Sequence, residues 1–126
     1  MGETQEMKTI FVVDDNNVNL LTAEETLSED YNVFTLQSAV IMFELLEDVT
    51  PDLILLDIAM PEITGFDALK RLKADPRYAG VPVIFLTGSR DNETEALGFE
   101  MGAVDFISKP FSNLVFLNRI KTHLTV

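Results

Sequence analysis

The 126-residue chain has no cysteine and a single histidine, His123. Without thiols there is neither a disulfide framework nor a cysteine nucleophile, which agrees with a reducing, cytoplasmic setting. No His or Cys is positioned to favour zinc. Basic residues are scarce: 9 Lys and Arg stand against 21 Asp and Glu, a formal net charge of −12. That balance argues against direct contact with nucleic acid, whose affinity rests on cations that neutralise phosphates. Long apolar runs are missing too, so no membrane span is expected, and residues 1–7 are polar and acidic rather than a basic signal segment. Internal repeats and low-complexity tracts are absent.

What the chain does have is 47% hydrophobic and 24% charged residues, the balance of one globular domain. We divide it into a polar tail over residues 1–8 and a domain over residues 9–126. Its most informative feature is where the hydrophobic runs stop. Residues 9–13 lead into Asp14 and Asp15, and residues 53–56 into Asp57. Residues 83–86 lead into Thr87, and Phe106-Ile107-Ser108 into Lys109 and Pro110. If the runs are parallel strands, these polar groups share one edge of one sheet, where open α/β sheets keep their ligands.

Helix-like segments separate the strands. Residues 17–29 read as an amphipathic helix with Val18, Leu20 and Leu21 as its apolar positions and Asn16 or Asn17 as N-cap. Asn32–Leu36 reads as the second strand. Residues 38–47 form a helix with an apolar face at Ala39, Val40, Met42, Phe43, Leu45 and Leu46. A loop over residues 61–65 precedes a helix over residues 66–73, with Phe66, Leu69 and Leu72 on one side. Asn92–Met101 is a weaker helix, interrupted by Gly98 and ended by Gly102. Residues 104–107 form the fifth strand, and Asn113–Leu124 the last helix. Five short strands alternating with five helices predict a parallel α/β sheet covered on both faces, doubly wound in the order 2-1-3-4-5. That order sets Asp14 and Asp15 beside Asp57.

Crowded carboxylates need compensation. At an effective dielectric near 20, two like charges about 4 Å apart cost roughly 4 kcal/mol. Lys109 can neutralise one charge and a divalent ion more. All-oxygen ligation suits Mg²⁺, with Mn²⁺ as a substitute.

Over residues 9–124 the chain resembles the receiver domain of two-component response regulators. The resemblance rests on Val13-Asp14-Asp15, on Leu56-Asp57-Ile58-Ala59-Met60-Pro61 with Gly65, on Leu86-Thr87-Gly88, and on Ser108-Lys109-Pro110-Phe111. It implies a CheY-like, flavodoxin-like fold and a phosphoacceptor role for Asp57, supplied from a phosphohistidine on a histidine kinase or histidine phosphotransfer protein. It further implies Mg²⁺ held by Asp15, Asp57 and the backbone carbonyl of Ala59, with Asp14 acting through a bound water. Lys109 would pair with Asp57 and then with phosphoryl oxygens, one of which Thr87 would bind. The Lys109–Pro110 peptide is expected cis.

A catalytic set of Asp57, Thr87 and Lys109 therefore follows, self-phosphorylating and self-dephosphorylating rather than enzymatic in the usual sense. Thr87 and Phe106 are expected to form a switch that is read out near helix four, strand five and helix five. A downstream output domain or protein, and a homodimer formed on phosphorylation, are the further expected partners. Thr64 stands where many relatives carry Asp, and Ala59 is small at a position that is often larger. His123 reads as a cation at a helix C-terminus. Asn118 to Leu124 is similar to receivers that continue into a cyclic-dinucleotide output domain or a kinase. A single-domain regulator remains the alternative. Two rival readings are a degenerate receiver acting only as an interaction module and a Mg²⁺-dependent phosphatase. The latter would need a second carboxylate where Ala59 stands.

Overall fold

The computed structural model describes residues 7–88, 91–110 and 113–124, with only the backbone of Asn113. Elements alternate throughout: β1 (Thr9–Val13), α1 (Asn17–Leu27), β2 (Asn32–Leu36), α2 (Ala39–Leu46), β3 (Leu53–Asp57), α3 (Gly65–Ala74), β4 (Val83–Thr87), α4 (Asn92–Met101), β5 (Asp105–Ser108) and α5 (Asn113–Leu124). All strand pairs are parallel and the order is β2-β1-β3-β4-β5. The sheet is the doubly wound, flavodoxin-like one expected.

Side chains alternate across each strand, so the sheet sorts the core into two layers. Phe11, Val13, Ile54, Leu56, Val83, Phe85 and Phe106 pack with α2 and α3 on one face. Ile10, Val12, Leu53, Leu55, Ile84, Leu86 and Ile107 pack with α1 and α5 on the other. Every residue of β3 and β4 is buried. That is why these strands are apolar without alternation until the polar residue that ends them.

Helix faces differ from the expectation in places. α1 buries Leu20, Ala23 and Leu27, which follow the helical repeat, while Val18 and Leu21 are 70% and 56% exposed. α1 also stops at Leu27, two residues early, because the Asp30 and Tyr31 amides both donate to the Leu27 carbonyl and turn the chain into β2. In α2, Ala39, Met42 and Leu46 face the sheet, whereas Val40 faces out. β5 begins one residue later than expected, at Asp105. Gly102 ends α4 in the left-handed conformation, φ 114, which glycine adopts without a Cβ penalty.

One long-range tie joins α2 to the segment before β4: the buried Tyr78 hydroxyl donates to the Leu46 carbonyl at 2.8 Å. Tyr78→Phe leaves that carbonyl unpaired, and we expect it to lower unfolding free energy by about 1 kcal/mol in urea titrations.

Candidate functional site

Four carboxyl strand ends deliver the predicted groups to one crevice. Asp14 leaves β1 with its amide bonded to the Leu36 carbonyl at 3.0 Å, which fixes its direction. Its Oδ1 accepts the Asn16 amide at 2.9 Å, and Asn16 in turn caps α1 by accepting the Val18 and Asn19 amides. Asp57 ends β3 and is 4% exposed, Asp14 is fully buried, and Asp15 is exposed. One carboxylate oxygen from each of Asp14, Asp15 and Asp57 lies within 4.8 Å of the others.

Lys109 reaches this cluster from β5. Its amide donates to the Thr87 carbonyl at 2.8 Å, and the Lys109–Pro110 peptide is cis. The ammonium lies 2.9 Å from Asp57 Oδ1 and 2.9 Å from Asp14 Oδ2. It thus bridges two carboxylates, where the sequence had suggested a pair with Asp57 alone. Asn19 completes the arrangement, its side-chain amide donating to Asp14 Oδ2 at 3.1 Å. Sequence reasoning missed Asn19, although its place five residues after Asp14, in the first turns of α1, was a usable signal. Among the described residues, every buried side-chain nitrogen and oxygen has a hydrogen-bond partner.

The electrostatics follow from this packing. Burial is the largest influence on Asp57 and raises its pKa; the Lys109 hydrogen bond opposes it, and the negative charges of Asp14 and Asp15 reinforce it. The result is about 6, against an ordinary 3.8. Burial works against the Lys109 ammonium, but its bonds to Asp14 and Asp57 outweigh that and hold its pKa above the usual lysine value.

Beside Asp57 lies a groove of about 340 Å³ lined by Asp57, Ile58, Ala59, Thr87, Gly88, Asp91 and Thr94. Asp91 caps α4, accepting the Thr94 amide at 2.8 Å and its hydroxyl at 2.9 Å. A cleft of about 360 Å³ between α1 and α2, floored by Leu20, Leu36 and Ile41, contains none of the clustered carboxylates. The strand-edge groove, which borders Asp57, is therefore the candidate site.

Thr64, the departure noted above, caps α3 by accepting the Asp67 amide at 3.2 Å. Next to it, a Cβ on Gly65 would sit 2.5 Å from the Asp57 carbonyl oxygen and 2.8 Å from Ile58 Cα. Only backbone lies in the way, so nothing can yield cheaply. Gly65→Ala is expected to cost about 2 kcal/mol, read by urea unfolding, and to move the Asp57 loop.

Thr87 and Phe106 lie on the same face of the sheet: Phe85 pairs with Phe106 in register, and Thr87 follows Phe85 by two. Phe106 is fully buried. His123 pairs with Asp105 at 3.1 Å, beside the Arg119–Asp105 bridge at 2.7 Å. Phe111, part of the last motif, lies outside the described residues.

Residues 10–121 match the response regulator receiver domain family, and the chain belongs to it. It is 40% identical over 116 residues to a protein named probable cyclic di-GMP phosphodiesterase from Vibrio cholerae serotype O1, covering 92% of this chain and 26% of that one. It is 36% identical over 115 residues to response regulator PleD of Caulobacter vibrioides, covering 90% and 25%. The chain thus spans about a quarter of the length of these two relatives. Among solved structures, the Vibrio cholerae chemotaxis protein CheY4 superposes with a TM-score of 0.89 at 26% identity, covering 94% of this chain and 99% of that one. A CheY-like receiver domain protein from Methanospirillum hungatei superposes with a TM-score of 0.87 at 27% identity, covering 95% of each. No helix among the described residues is long and apolar enough to cross a membrane.

Proposed function

We propose that this receiver domain takes a phosphoryl group from a phosphohistidine onto Asp57. The observation that carries the reading is the Lys109 ammonium, 2.9 Å from both Asp14 and Asp57 within a three-carboxylate cluster. Phosphoryl transfer needs positioning and charge compensation more than additional covalent groups. With Lys109 on Asp57 Oδ1, Oδ2 is the attacking oxygen. It bonds to phosphorus as the phosphorus–nitrogen bond to the donor histidine breaks, and the imidazole leaves with the electron pair. The product is an acyl phosphate on Asp57, with Lys109 and the Thr87 hydroxyl placed to bond its oxygens.

Asp14, Asp15 and Asp57 fit a hard divalent ion by donor type and mutual reach, and the Ala59 carbonyl would add a neutral ligand. Bound Mg²⁺, or Mn²⁺ in its place, would supply the charge compensation that one ammonium leaves incomplete. The mark resets when water hydrolyses the acyl phosphate. Ala59 is exposed and lines the groove, so water has access there. Ala59→Met should lengthen the phosphorylated half-life by roughly threefold or more, followed by loss of the phosphorylated mass over time. An unchanged half-life would remove the role given to Ala59.

Phosphorylation adds about −1.5 to −2 charges and fixes Thr87 and Phe106 in one of two arrangements, read on the α4, β5 and α5 surface by an output domain, a partner or a second copy of the chain. A histidine kinase or histidine phosphotransfer protein is the donor. The relative named probable cyclic di-GMP phosphodiesterase supports an output in cyclic di-GMP signalling, and the setting is cytoplasmic. Intact-mass measurement after phosphoramidate and Mg²⁺ is the test. Wild type should gain one phosphoryl group and Asp57→Asn none. No gain in wild type would favour a phosphorylation-independent interaction module instead.

A further inference from the structure

Gly98 lies in the middle of α4, where glycine weakens a helix and ordinary helical backbone gives it no conformational reason to be there. The reason is space. A Cβ at Gly98 would sit 2.5 Å from Phe106 Cζ, 3.2 Å from its Cε1 and 3.3 Å from Phe85 Cδ2. Alanine therefore meets the buried ring of Phe106, which shares a face of the β4–β5 pair with Thr87.

Phe106 is the centre of an aromatic series crossing this side of the domain. Ring centroids are 5.2 Å apart for Phe66 and Phe85, 5.5 Å for Phe85 and Phe106, and 5.1 Å for Phe106 and Phe99. Phe66 belongs to α3, while Phe99 belongs to α4 and is 49% exposed. A ring fully buried at one end of β5 is thus in contact with a surface aromatic beside Gly98. In this arrangement Thr87 lines the Asp57 groove.

We propose that Gly98 is a positioning residue: it holds the Phe106 ring inward beneath α4, and thereby holds Thr87 in the arrangement that faces Asp57. The claim rests on the phosphoacceptor reading and adds to it which residue biases the switch. Gly98 acts through Phe106 and touches no reacting atom. With alanine at 98, either the ring swings out or α4 lifts away, and both disfavour the state in which Thr87 can meet a phosphoryl oxygen. Packed cores resolve such a conflict by changing state rather than by small continuous shifts.

The test is a double-mutant cycle on the full chain, comparing wild type, Gly98→Ala, Phe106→Leu and the double variant. Two quantities are read, Tm and the rate of phosphorylation by phosphoramidate with Mg²⁺. Helix propensity alone would make Gly98→Ala raise Tm. We expect it to lower Tm and to slow phosphorylation by about threefold or more, both effects vanishing in the Phe106→Leu background. A higher Tm, a Gly98→Ala effect undiminished in the Phe106→Leu background, or a lower Tm with an unchanged rate would overturn the proposal. The last pattern would mark a merely structural glycine. Wild type taking up no phosphoryl group would defeat the functional reading and the claim on Thr87 with it. The Tm cycle would still decide whether Gly98 sets the ring.

Discussion

Lys109→Met should cost about 3 kcal/mol of unfolding free energy at pH 7.5 without divalent ions, because removing one partner of a buried pair strands the other charge. Here it strands two, since the ammonium bridges Asp14 and Asp57 at 2.9 Å each. The loss should shrink as pH falls toward about 6, because Lys109 lowers the Asp57 pKa and the variant, lacking it, takes up a proton on Asp57 at higher pH than wild type does. Phosphorylation by a small donor should fall as well, with no cation on the incoming oxygens. Urea unfolding between pH 5 and 8 checks the first part. A cost that does not vary with pH would mean that Lys109 contributes by packing its stem alone.

Asp57→Asn should do the reverse, stabilising the metal-free domain at pH 7.5 by on the order of 2 kcal/mol. The sign follows from the raised pKa. Between the ordinary 3.8 of the unfolded chain and about 6 in the fold, the folded state holds the extra proton. Stability therefore falls as pH rises through that window and stays lower above it. Asparagine keeps the shape and removes the titration, so its profile should be flatter there. Because the same substitution should abolish phosphoryl uptake, stability and function should move in opposite directions at this residue, a common pattern where active sites hold destabilising charge. An Asp57→Asn variant less stable than wild type at pH 7.5 would contradict the electrostatic account.

The groups that sequence reasoning found best were those at strand ends. A parallel strand buried on both faces has to be apolar until the sheet stops, so Asp57 after Leu53-Ile54-Leu55-Leu56 and Thr87 after Val83-Ile84-Phe85-Leu86 mark the edge themselves. Crossover handedness then left a few doubly wound orders, of which 2-1-3-4-5 was favoured. Helix faces were harder to read. Val18 and Leu21 are apolar yet exposed, and hydrophobicity alone did not separate them from Leu20 and Ala23 on a helix with a weakly apolar stripe. Asn19 escaped because an amide in a helical first turn has many uses, and its bond to Asp14 depends on the angle at which β1 meets α1. Gly98 was read as a weak point of α4, since a close approach to Phe106 is a fact of three dimensions that local pattern does not carry.

Magnesium titration calorimetry at pH 7.5 tests the central claim most directly, that a cation-hungry carboxylate cluster surrounds the acceptor Asp57. The account predicts a single-site isotherm for wild type that weakens by roughly tenfold per pH unit once Asp57 protonates below about pH 6. It also predicts marked weakening in Asp15→Asn. No uptake of the ion, or an affinity indifferent to both pH and Asp15, would contradict it.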